Sequence, residues 1–340
     1  MTLDQAVALS LLDDLSRRGL TERFHSQDPE LLERAATLVD TARAVRKRAE
    51  AAGIQVLPWN DSRFPTALGA ITDVPPVLWY RGQLSSMDAP AVAIVGSRAA
   101  TSVALETAAR LGADLAARGV TVVSGLARGV DSAAHRGALK TGRTIAVLGS
   151  GVDHVYPAEH VTLAQQIAEM GLVTSEYPPG TLPLPHHFPM RNRLISGLSR
   201  AVVVIEASEK SGSLITAACA LEQGRDVMAV PGNVLSGRNR GGHALLKDGA
   251  KIVETADDIV EELGFAPAPV GDSAGTSSTC ESARSVDPVL RRMEAGQTYE
   301  LDALAASSGL DVHRLLPRLM ELELAGFIRR AGGGRFVRSS

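Results

Sequence analysis

A series of cations stands in short loops that follow apolar runs. Arg98 lies in "VGSR", Arg128 in "VSGLARG", and Arg191 and Arg193 in "HHFPMRNRLISGLS". Lys210 precedes "SGSLIT", and Arg238 and Arg240 follow "PGNVLSG". Such side chains beside glycine turns suit a phosphate-bearing ligand, because glycine lets backbone N–H groups approach an anionic oxygen and a helix N-terminus behind the turn favours negative charge. Between residues 91 and 264 there are 16 Lys plus Arg against 17 Asp plus Glu, so bulk charge does not draw a polyanion. Many of the acids fall on helix bodies or in "ETADDIVEEL", which leaves the loops enriched in cations.

The stretch "VAIVGSRAAT" starts like a dinucleotide-binding turn, yet the second and third glycines of G-x-G-x-x-G are Arg98 and Thr101. Gly96 and Ser97 keep the turn and its N–H groups, while Arg98 occupies the space a buried pyrophosphate requires. An extended anion crossing several loops fits better, since it needs reaching cations rather than bare backbone. A nucleic-acid strand also wants stacking surfaces, and only 4% of the chain is aromatic. Phe188, beside His186, His187 and the two arginines, is the best candidate, with a core phenylalanine at a helix start as the competing reading; Tyr156 and Tyr177 are weaker candidates. No H-E-x-x-H, G-x-S-x-G, Walker or zinc spacing occurs. Asp131 and His135, one helical turn apart, could form an acid–base pair, but loop fixing by Asp131 and packing by His135 is the preferred reading. Glu176 and Glu206, at strand ends, read as groups that orient loops or arginines. Neither a cofactor nor a metal site is expected.

Positioning these loops requires strands that end on one edge. Apolar runs at 91–96, 120–125, 144–149, 172–177, 201–207 and 226–232 alternate with helical stretches at 102–118, 131–141, 160–170, 188–198 and 213–223. This pattern predicts a parallel α/β sheet, whose ligands bind outside the carboxyl ends of the strands. Gly125, closing the second run, belongs to that edge. Residues 1–50 show helical periodicity (Ala6, Leu9, Leu12, then Leu31, Leu32, Ala35) and predict a small helical domain. The prolines of 54–82 suggest an edge strand and a connector leading into a 51–264 main domain. Residues 265–285 are rich in Pro, Gly, Ser and Thr and predict a flexible linker. From 286 to 340, three short helical patterns followed by "FIRR", a glycine turn and "RFVR" predict a winged helix.

With 45% hydrophobic residues the chain can bury a sizeable core. No apolar run approaches the roughly 18 residues of a membrane span, and the N-terminal stretch carries acids among its leucines, so a cytoplasmic location away from membranes is expected. Cys219 and Cys280 are too far apart in sequence, and too isolated, to predict a disulfide framework or a zinc site.

The motifs "VGSR", "SGLARGVDSAAHRGAL", "SEYPPG", "FPMRNRLISGLS", "SGSLITAACALEQGRDVMAVPG" and "GGHALLKDGA", in this order over 54–264, resemble the DNA-processing protein A family (DprA, also called Smf). The resemblance implies an extended Rossmann-like fold, binding of single-stranded DNA without ATP, a homodimer, and loading of a RecA-type recombinase during natural transformation. It implies a mediator rather than an enzyme. It carries a strand-binding pocket to Ser97 and Arg98, to Arg191, Asn192 and Arg193, and to Gly212, Ser213 and Thr216, with Phe188 in the base-contacting region. The 311–325 segment sets Asp311, Glu321 and Glu323 against Arg314 and Arg318, a poor balance for groove binding, so protein contact is the expected role of the winged helix. Two other classes compete. A nucleotide-monophosphate phosphoribohydrolase of related fold would need a "PGGxGTxxE" loop, where this chain has Ala217 and Ala218 in "SGSLITAA"; a transcription factor would act through the winged helix.

Overall fold

The computed structural model describes residues 2–12, 23, 28–265, 289–293, 297–308, 312–324, 327–331 and 335–338. The chain divides into two compact units, Met1–Pro269 and Val270–Ser340. Nearly all of the stretch expected as a linker lies outside the described residues.

The first unit is built on nine strands: β1 (Gln55–Pro58), β2 (Val77–Gly82), β3 (Ala91–Val95), β4 (Thr121–Ser124), β5 (Thr144–Val147), β6 (Leu172–Ser175), β7 (Ala201–Val204), β8 (Asp226–Ala229) and β9 (Lys251–Ile252). Their order is β1-β2-β6-β5-β4-β3-β7-β8-β9. All neighbours from β6 across to β9 are parallel, whereas β2 pairs antiparallel with β6 and β1 with β2. The six strands expected from the apolar runs form the parallel part together with β9. The order reverses at β3, which lies between β4 and β7, so the carboxyl ends of β3 and β7 flank the switch point where a crevice opens.

The inner strands β3 to β7 are buried on both faces, as a covered parallel sheet requires. Along β3, Val92 and Ile94 face one cluster while Ala91, Ala93 and Val95 face the other. The first cluster is closed by α5 (Ser102–Ala117) and α6 (Val130–Ala138), which cross closely: a Cβ on Gly112 would lie 2.5 Å from the Ala134 carbonyl, and one on Gly137 2.0 Å from that of Ala109. The opposite cluster is closed by α4 (Thr66–Gly69), α8 (His187–Gly197) and α9 (Ser213–Glu222). Helix α7 (Val161–Met170) shares a third cluster with α1 (Leu3–Ser10), α2 (Pro29–Thr37) and α3 (Val39–Ala51). Leu9, Leu31 and Ala42 share this third cluster with Trp79 of β2 and Ala146 of β5. The described helices of the stretch expected as a 1–50 helical domain share this cluster with the sheet. Helices α10 (Arg240–Lys247) and α11 (Ala256–Glu262) complete the unit.

The second unit is a winged helix. It contains α12 (Leu301–Ser308), α13 (Val312–Leu324) and a sheet of order β10-β12-β11 from β10 (Thr298–Glu300), β11 (Ile328–Ala331) and β12 (Arg335–Arg338). Leu304, Leu315, Leu319, Ile328 and Phe336 form its own buried cluster. The first helical pattern expected there is, among the described residues, a single 3-10 turn at Leu290–Arg292.

Candidate nucleic-acid interface

Each wall of the switch-point crevice is fixed by backbone bonding. Ser97 N–H donates to the Glu206 carbonyl at 2.7 Å, and Val130 N–H donates to the Ser97 carbonyl at 3.2 Å. The Glu206 carboxylate accepts from the Thr101 hydroxyl at 2.7 Å, and Thr101 caps α5 through Ala104 N–H. Glu206 therefore orients the loop, as read from its strand-end position. Gly129, at φ 77°, passes so close that a Cβ would lie 2.2 Å from the Ser97 carbonyl oxygen. The turn after β3 is held from both sides, and the exposed Arg98 projects from it.

Arg191 is 3% exposed and lies beneath this turn. Its Nη1 donates to the Gly125 carbonyl at 2.9 Å and also to the Val147 carbonyl. A Cβ on Gly125 would lie 2.5 Å from Arg191 Nη2, so any larger residue there would push the guanidinium aside. Asp131 accepts from Gly125 N–H at 3.0 Å and Ala127 N–H at 3.4 Å, which is the loop-fixing role rather than an acid–base one. Burial pushes the Asp131 carboxyl up, against the charge of Arg191 and the two N–H donors. Burial also draws Arg191 down to about 10, partly offset by Asp131, which leaves it a cation at neutral pH. His135 packs: its Nδ1 lies 2.7 Å from the Thr144 hydroxyl, itself donating to the Val122 carbonyl at 2.6 Å.

Above Arg191 a cleft of about 420 Å³ brings together Ser97, Arg98, Phe188, Asn192, Ser213 and Thr216, with Gly212 at its edge. A smaller hollow of about 60 Å³ opens on the other side of Arg98 and Phe188, against Gly125, Arg128 and Tyr156. The Arg98 guanidinium sits 5.5 Å from the centroid of the Phe188 ring, a cation–π contact, and the Tyr156 ring is 5.4 Å from Phe188 on a tilted plane. Phe188 is half-buried and lines both hollows, so it is not a core residue. Tyr177, in contrast, is buried and stacked on His187 at 4.0 Å.

The remaining predicted residues do not line the cleft. Arg193 is buried in a two-pronged pair with Glu176 at 2.9 and 2.8 Å and borders a separate hollow with Asp73. The reason is helical geometry: residues two apart diverge by about 200°, so Arg191 and Arg193 of α8 serve opposite sides. Arg128 reaches the small hollow but is held by Glu159 at 2.8 and 2.9 Å. Arg238 donates to the Ala99 carbonyl at 3.0 Å, and Arg240 lies 3.8 Å from Glu209. Lys210 is exposed in the loop between Ser208 and Ser211, both of which line the cleft. Sequence reasoning missed Ser208, Ser211 and Glu159, and it missed Asn239, which bridges Ala207 N–H and the Val230 carbonyl. Only the tertiary contacts identify them. Among the described residues no cluster of three or more His, Cys, Asp or Glu is placed to hold a metal, and no helix is long and apolar enough to cross a membrane.

A parallel sheet with a guanidinium- and hydroxyl-lined cleft at its switch point defines a Rossmann-like protein built to accept an anion. The chain belongs to the DNA recombination-mediator protein A family: the family model matches residues 55–264, and that of the DprA winged helix domain matches 276–334. It is 39% identical over 284 residues to Protein Smf of Escherichia coli, covering 82% of this chain and 76% of the relative. It is 45% identical over 206 residues to DNA processing protein DprA of Streptococcus pneumoniae, covering 60% and 73%. The X-ray structure of the S. pneumoniae protein superposes with a TM-score of 0.65 at 37% identity, covering 76% of this chain and 93% of that one. A Helicobacter pylori DprA structure, whose description concerns its single-stranded DNA binding mode, superposes with a TM-score of 0.57 at 31% identity, covering 62% and 95%.

Proposed function

We propose that this protein binds single-stranded DNA across the switch-point cleft and, as a cytoplasmic homodimer, delivers the strand to a RecA-type recombinase. The observation that carries the binding reading is the convergence of exposed Arg98, buried cationic Arg191 and the hydroxyls of Ser97, Ser213 and Thr216 on one cleft, with Phe188 at its rim. Phosphates meet the cations and N–H-bearing turns, and a base meets Phe188. The family's role in DNA recombination and the H. pylori relative's single-stranded DNA binding support the same reading.

Binding rather than catalysis fits the chemistry of the cleft. Its lining carboxylate is Asp131, which is engaged by two backbone N–H groups, and Ala217 and Ala218 stand where a phosphoribohydrolase would place its acid. The test is a titration of labelled single-stranded and duplex oligonucleotide at two salt concentrations with wild type and Arg98→Ala. The expected result is preference for the single strand, steep salt dependence, and at least a tenfold loss in the variant, of the order that phosphate contacts supply. Equal affinity for duplex, or an unaffected Arg98→Ala protein, would overturn the reading.

A further inference from the structure

Beside the cleft, the loop between β8 and α10 carries a bare apolar tip on a fixed stem. Leu235 is 92% exposed and Val234 74%. The stem is held: buried Asn239 ties Ala207 N–H to the Val230 carbonyl, and His243 Nε2 lies 3.0 Å from the Gly232 carbonyl. The tip is itself folded, with Leu235 N–H donating to Asn233 Oδ1 at 2.8 Å and the Ser236 hydroxyl to the Asn233 carbonyl at 3.0 Å. Arg238 fastens this loop to the cleft by donating to the carbonyl of Ala99, which follows Arg98 and lines the cleft wall. Two adjacent large apolar side chains in water, on an ordered loop continued by Arg238 and Arg240, gain stability when something covers them.

We infer that Val234 and Leu235 form a second base-contacting subsite, which covers the face of a nucleobase in a strand leaving the Arg98 cleft. The inference rests on the proposed strand binding and extends it. A base presents an apolar face on an anionic backbone, so it matches an apolar tip with cations on one side of it, whereas an apolar protein segment would gain nothing from Arg238 and Arg240. Because these contacts are to bases, they add affinity without adding phosphate contacts.

The test is fluorescence anisotropy of a labelled thymidine oligonucleotide and of an abasic strand of equal length, with wild type, Leu235→Ser, Leu235→Met and Arg98→Ala. Leu235→Ser is expected to weaken the thymidine strand by about five- to tenfold, the effect of uncovering one apolar side chain. Its salt slope and its affinity for the abasic strand should match wild type, and Leu235→Met should bind as wild type does. Thermal melting of each variant checks the fold, which a side chain so exposed should leave unchanged. Unchanged binding of the thymidine strand by Leu235→Ser, or an equal loss on the abasic strand, would overturn the inference while wild type and Arg98→Ala still report on the cleft. Absence of wild-type binding to either strand would overturn the parent reading instead, and this one with it.

Discussion

The cations of this protein have unlike tasks, set by what each one meets. Arg98 is exposed and projects over Phe188, Arg193 is consumed by Glu176, and Arg191 is anchored by one nitrogen to two backbone carbonyls while lining the cleft. Arg128 lies between these extremes, because its partner Glu159 is itself exposed and the pair is worth little in water. Glu159→Gln should therefore free Arg128 toward the small hollow, tighten single-stranded DNA about two- to fivefold and steepen the salt slope by roughly 0.7, the value of one phosphate contact. Anisotropy at several salt concentrations reads both; an unchanged slope would exclude Arg128 from the strand path. Gly125→Ala tests the buried cation. The new Cβ would displace the Arg191 guanidinium from its carbonyls, with an expected loss of about 2–4 kcal/mol in urea denaturation and a weakened strand affinity.

Helices α5 and α6 show how packing sustains the site. Gly112 and Gly137 let the two helices cross at close range, which seats Val130 and Asp131 against the β3 turn and the β4 loop. The close approach buries His135 completely, and burial draws its imidazole from 6.5 down to about 3. Between those values the unfolded chain takes up a proton that the folded chain refuses. The contribution of this group to stability is thus complete above about pH 6.5 and falls as pH drops toward 3, by up to about 1.4 kcal/mol per pH unit. Thermal midpoints measured from pH 7 to pH 5 should decline, and His135→Gln should decline less steeply; equal slopes would show that His135 is not the group involved. Six of the parallel strands were legible from apolar runs, four of them closed by glycine, with ends one to three residues too long. Strand β9, only two residues long and half exposed, carries too little pattern to be read that way.

The two units have separate cores, with Trp79 and Leu31 in the sheet unit and Leu315 and Phe336 in the winged helix. Every residue lining the candidate cleft belongs to the first unit. A protein ending at Phe265 is therefore expected to melt cooperatively and to keep single-stranded DNA affinity within about twofold of the full chain, since the strand's phosphate contacts would be retained. A tenfold loss would place part of the strand path on the winged helix. The N-terminal helices cannot be cut away in the same manner: removing them would uncover the side of β1 and β2 they pack against, where Trp79 lies in the same cluster.

Local order along the chain was enough to read the parallel sheet, its glycine-rich carboxyl edge and the loop cations and Phe188 beside it, because strand periodicity and turn chemistry are short-range. The grouping with Ser97, Asn192 and the "SGS" residues came from the family resemblance. Local order was not enough to tell which cations remain free. Arg128 meets Glu159 across 31 positions, Arg193 meets Glu176 across 17, and Gly125 and Arg191 are joined across 66. Pairing and burial depend on distances in space, and two arginines two residues apart on one helix are sent by its pitch to opposite fates. Folding thus left, from a dispersed set of basic residues, only a few at the candidate cleft.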